Sequence, residues 1–201
     1  MYYLPLPELP NGNEINRLLS QFADAGGVLD YVPIACEETP SEATHRAAAI
    51  AAMKRIDHGL ATWATERATP SNPAEKFFRI TMDTRKLTGQ QISYHKFWGS
   101  DDVALRQMGP NSWSVPNVDG YKRAFFIPPY SLSGSADVWA LFEEINFVLF
   151  GCEPEQCTVY SWSTDWSNYF DAGREWWGAF YWTVFSAETK LLTTIGASAT
   201  D

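Results

Sequence analysis

Gly178-Ala179-Phe180-Tyr181-Trp182-Thr183-Val184-Phe185 and Leu191-Leu192-Thr193-Thr194-Ile195-Gly196-Ala197 are two β-prone runs separated by a short polar segment containing Glu188-Thr189-Lys190. Aromatic and β-branched residues dominate both, and such side chains suit a pleated, packed surface. Two runs joined by a few turn-forming residues read as a β-hairpin, so the pair is antiparallel. Immediately upstream, Thr158-Val159-Tyr160-Ser161-Trp162 alternates and supplies a further strand. Nearer the N-terminus, Val28-Leu29-Asp30-Tyr31-Val32 reads as a short strand stopped by Pro33, and residues 77–82 and 124–127 read as two more, the latter terminated by Pro128-Pro129.

Three helices surround these runs. The first is capped by Asn11 or Asn13, carries Ile15, Leu18, Leu19 and Phe22 at helical spacing, and stops at Gly26-Gly27. The second opens on Thr39-Pro40-Ser41-Glu42, which has the form of a capping box with Pro at the first helical position. Its apolar stripe is Ile50, Met53, Leu60 and Trp63, and the alanines at 47–52 allow close packing. The third is capped by Ser135, with Asp137 in the positive first turn and Val138, Leu141, Phe142, Ile145, Val148 and Leu149 on one face. Residues 83–120 read as a turn-rich excursion, with a short strand around His95, Phe97 and Trp98. The expected architecture is a single α+β domain over residues 1–201, with a helix-rich N-terminal part, a mainly antiparallel sheet and helices packed on one face.

The chain has 201 residues, 45% hydrophobic and 15% aromatic, including nine Trp. That richness in large apolar side chains excludes a disordered or low-complexity chain. No apolar run approaches the roughly 20 residues of a membrane span. The start, Met1-Tyr2-Tyr3-Leu4-Pro5, lacks the basic and then apolar pattern of a secretory signal. A cytoplasmic protein is expected, and three cysteines without an even pairing (Cys36, Cys152, Cys157) agree with a reducing compartment. The net charge of −9 is concentrated: residues 135–201 hold ten acidic groups against Arg174 and Lys190, a balance of −8. Nucleic acid is disfavoured as a partner, because phosphates need Lys and Arg. A basic protein partner is favoured.

Residues 160–182 hold ten aromatics, interleaved with Asp165, Asn168, Asp171, Arg174 and Glu175. The stretch Ser161-Trp162-Ser163-Thr164-Asp165-Trp166-Ser167-Asn168-Tyr169-Phe170-Asp171-Ala172-Gly173-Arg174-Glu175-Trp176-Trp177-Gly178, with Trp182-Thr183-Val184 and the terminal Ala197-Ser198-Ala199-Thr200-Asp201, resembles the signature of an uncharacterised bacterial domain family of unknown function. The resemblance covers about residues 121–201. It implies a bacterial or phage origin and brings no catalytic assignment.

Three readings of this segment follow from the residues themselves. The rings form the core, with Asp165, Asn168 and Asp171 capping turns. Alternatively, Asp165, Trp166, Asn168, Tyr169, Asp171, Arg174, Glu175, Trp176, Trp177 and Asp201 form a binding surface for a basic protein, as in an immunity protein or antitoxin facing a nuclease toxin. A third reading makes Asp165, Asp171 and Glu175 the carboxylates of a carbohydrate-directed or metal-assisted hydrolase flanked by Trp platforms. The expectation is the non-catalytic binding module, with no cofactor and no metal site. The C-x4-C spacing of Cys152 and Cys157 fits no zinc knuckle, and no phosphate-cradling loop or nucleophile elbow is present. His95 reads as a packed or surface group, and Glu37 and Glu38 beside Cys36 argue against a reactive thiolate.

Overall fold

The structure, a computed structural model, describes residues 9, 11–99, 119–129, 132 and 137–198. Strands β1 (Leu29–Ala35), β2 (Gly89–Ile92), β3 (Thr158–Trp162), β4 (Ala179–Ser186) and β5 (Leu191–Ser198) form one sheet in the order β1-β5-β4-β3-β2. Every neighbouring pair is antiparallel. The β4–β5 hairpin forms as the sequence suggests, closing on the Ser186↔Leu191 pair, with Lys190 in the left-handed region at φ 56°. β1 does not stop at Pro33, which pairs with Thr193 on an edge strand, where the missing N–H of proline is tolerated.

The α+β class and the antiparallel pairing are as read, but the helices occupy both faces of the sheet. On β4, Phe180, Trp182 and Val184 turn to one side, and Tyr181, Thr183 and Phe185 to the other. Both sets are large or well packed, so neither face can be left to water. The first face is covered by α1 (Gly12–Asp24), α3 (Tyr94–Trp98), α4 (Gly120–Phe126) and α5 (Val138–Phe150). The second is covered by α2 (Glu42–Arg67) and by the loop that follows β3. Ala48, Ala49 and Ala52, all buried, bring α2 close to the strands.

Several local expectations change. Residues 124–127 lie in or just after α4, because Tyr121, Ala124 and Phe125 point into the core at helical spacing. His95, Phe97 and Trp98 belong to α3, capped by Ser93, whose hydroxyl accepts from the Lys96 N–H at 3.2 Å. Residues 77–82 form no strand: Met82 makes an isolated bridge to Ser167, and side chains hold the rest. The cap of α2 is Ser41, accepting from the Thr44 N–H, two residues after the expected Thr39. Asp137 caps α5 through the N–H groups of Trp139 and Ala140, and Ser135 lies outside the described residues. The excursion expected over residues 83–120 is partly regular, since it supplies β2 and α3, and residues 100–118 lie outside the described residues.

Candidate functional site

The strand register sorts the loops to two ends of the sheet. At one end, Trp162 closes β3 opposite Gly89, Ala179 opens β4 opposite Ser198, and Leu29 opens β1 opposite Ala197. The aromatic and acidic segment connects β3 to β4 here through α6 (Asp171–Trp176). Gly173 N–H donates to Ser198 Oγ at 3.3 Å, so the end of β5 adjoins this segment. Asp201 and the side chain of Trp176 lie outside the described residues.

Most of the described rings of this segment face inward. Trp166, Tyr169 and Trp177 are only 2%, 5% and 7% exposed, so they are core residues and not a docking platform. Their polar tips are mostly engaged: Trp177 Nε1–H donates to the Ile127 carbonyl at 2.6 Å, and Tyr169 OH donates to Asp30 Oδ2 at 2.6 Å. Burial pushes the Asp30 carboxyl above its ordinary range, partly offset by that hydrogen bond. Asn168 is a staple for the 79–82 segment. Its Oδ1 accepts the Thr81 N–H at 2.7 Å, and its Nδ2 donates to the Arg79 carbonyl at 3.0 Å.

Asp165, Asp171 and Glu175 are exposed. Asp171 pairs with Arg174 one helical turn on. Nearby, Asp83 is paired with Arg85 at 2.8 Å, which holds the Asp83 carboxyl below its ordinary range. The predicted site therefore divides into buried rings, a structural amide and carboxylates that share their surroundings with arginines.

The opposite end of the sheet carries acids that the sequence does not place together. Cys36, just after β1, donates its backbone N–H to the Lys190 carbonyl at 2.8 Å, so Glu37 and Glu38 lie beside the β4–β5 turn. Glu188 in that turn accepts from the N–H groups of Cys152 and Glu153 at 2.8 and 3.4 Å. Glu155 follows in the short turn at Pro154–Gln156, next to the start of β3. Glu37, Glu38, Glu42, Glu153, Glu155 and Glu188 are all exposed here. The signal that finds this end is register: whatever follows β1 must meet whatever joins β4 to β5.

All three thiols also sit at this end and are free. Burial raises Cys157 to about 11 and raises Cys36, whose thiol donates to the Glu38 carbonyl at 3.2 Å. They are unsuited to act as nucleophiles near neutral pH. Among the described residues, no group of three or more His, Cys, Asp or Glu is placed to hold a metal ion. Among them, too, no helix is long and apolar enough to cross a membrane.

One polar cluster escapes the sequence reading. His45, on the sheet-facing side of α2, is completely buried. Its Nδ1 lies 2.8 Å from Thr183 Oγ1, which accepts the Trp162 Nε1–H at 2.9 Å. The imidazole packs on Tyr160 with ring centroids 4.6 Å apart, and Nε2 has no hydrogen-bond partner. Burial lowers its pKa from 6.5 to about 4. The run of small residues around His45 is the trace it leaves in the sequence, since only a closely approaching helix buries an imidazole so fully.

No family model, curated protein or solved structure matches this chain.

Proposed function

We propose that this protein is a non-catalytic binding module whose acidic surface engages a basic protein, in the manner of an immunity protein or antitoxin facing a cationic nuclease. The observation that carries this reading is the separation of rings from charge. Trp162, Trp166, Tyr169, Trp177 and Trp182 are buried, whereas Glu37, Glu38, Glu42, Glu153, Glu155 and Glu188 are exposed at the hairpin end. Such a surface accelerates encounter with a positive partner and repels nucleic acid. The free cysteines support a reducing, cytoplasmic setting. The likeness of residues 121–201 to an uncharacterised bacterial family agrees with a bacterial setting and adds no activity. The hydrolase alternative loses its main support, because Trp166 and Trp177 are buried and offer no platform to a sugar ring.

Affinity capture from a bacterial lysate at low salt tests the proposal with three baits. They are wild type, Glu37→Lys/Glu38→Lys/Glu153→Lys/Glu155→Lys, and Asp165→Lys/Asp171→Lys/Glu175→Lys. The expected result is one basic protein held by wild type and by the Asp165 set but lost from the Glu37 set. Its association with purified wild type should slow by about tenfold between roughly 0.05 M and 0.5 M salt. Retention that ignores both reversals overturns the reading.

A further inference from the structure

We propose that His45 is a proton-operated pin for α2: neutral, it seats the first turns of the helix on the sheet, and on protonation it releases them while the sheet and the opposite helical layer stay folded.

The hydrogen-bond inventory is the first support. An indole N–H can only donate, so Thr183 Oγ1 must be the acceptor for Trp162. The arrangement that also uses the Thr183 hydroxyl hydrogen points it at His45 Nδ1 and leaves the imidazole proton on the unpartnered Nε2. An imidazolium carries N–H on both nitrogens. It would have to turn the Thr183 hydroxyl away from Nδ1 and bury a charged N–H without an acceptor, which is costly in an apolar interface.

The surroundings offer the charge no relief. On α2 itself, Glu42 is exposed and Arg46 is drawn off to the Thr84 carbonyl at 2.5 Å. β3 presents Tyr160 and Trp162. β4 presents Thr183 and Tyr181, the latter's hydroxyl donating to the Ala49 carbonyl at 2.5 Å. Beyond β1, Cys36 packs near Ala48, Phe185 and Leu192. No carboxylate pairs with the ring among the described residues.

The release is local because the two layers are held differently. The opposite face is packed with Phe22, Phe125, Phe142, Phe150, Tyr121 and Trp182. The first turns of α2 meet the sheet mainly through Ala48, Ala49, Ala52 and Met53, and alanines remove little apolar area from water.

Native-state hydrogen exchange of the full chain, corrected for the intrinsic pH dependence of exchange, tests this. An imidazole titrating at 6.5 when released and about 4 when seated makes α2 opening about twentyfold more favourable at about pH 5 than at about pH 7. Amides of residues 45–53 should lose that protection, with a slope near one proton below about pH 6, while β4 and β5 amides keep theirs. In His45→Leu or His45→Gln the pH dependence of α2 should vanish. The wild-type slope alone decides the matter if neither variant folds. Equal loss in α2 and the sheet, a flat wild-type profile, or an unchanged slope in either folded variant overturns the proposal.

Discussion

Trp166 and Asp165 are neighbours with opposite fates. The indole is enclosed with Tyr181 in the core beneath α2, and the carboxylate beside it is in water. Truncating a buried Trp loses its transfer free energy and leaves a cavity, so Trp166→Ala is expected to cost about 3–5 kcal/mol. Asp165→Asn should stay within about 0.5 kcal/mol. Urea unfolding of the two variants checks both figures, and comparable midpoints would contradict the assignment of Trp166 to the core. The sequence shows how crowded with rings this segment is but not which way they point. Trp and Tyr serve cores and binding surfaces equally well, and the choice depends on whether another element covers that side of the sheet. Here α2, some 100 residues upstream, provides the cover.

Elements with a clean period were legible and those governed by distant contacts were not. The hairpin, β3, α1 and α5 follow from alternation or helical spacing carried by their own residues. Residues 124–127 look β-prone, yet Tyr121 and Phe125 reach the core together only when the backbone is helical. Residues 77–82 form no strand; apart from the Met82 bridge to Ser167 they are fixed by Asn168 and by Asp57, which accepts from the Ile80 N–H at 2.9 Å and from Arg79. No local pattern announces such anchors. The start of α2 offers a direct comparison, because Thr39 and Ser41 both look like caps and only Ser41 makes the bond. Ser41→Ala should therefore cost about 1 kcal/mol, whereas Thr39→Ala should be nearly neutral. Chemical denaturation of the pair distinguishes them, and the reverse order would move the helix start.

At the scale of the molecule, one antiparallel sheet is sandwiched between an aromatic-rich helical layer and α2. The sequence reveals the excess of acid in the last third but not its grouping. Glu37, Glu38 and Glu188 become neighbours only through the β1–β5 pairing. The acidic balance was thus legible in composition, and the grouping at the hairpin end was not, because it depends on strand register. Both the binding proposal and the account of the fold depend on the same claim, that Trp162, Trp166, Tyr169, Trp177 and Trp182 are interior while Asp165, Asp171 and Glu175 are exposed. Hydroxyl-radical footprinting with residue-level mass spectrometry tests that claim most directly. Phe78 and Phe147, 47% and 59% exposed, serve as accessible references. Trp162, Trp166, Tyr169, Trp177 and Trp182 should label far more slowly than these in the native protein, and at their full intrinsic rates in concentrated urea. Native labelling of Trp166 and Trp177 as fast as in urea would contradict the account and return the aromatic segment to the surface.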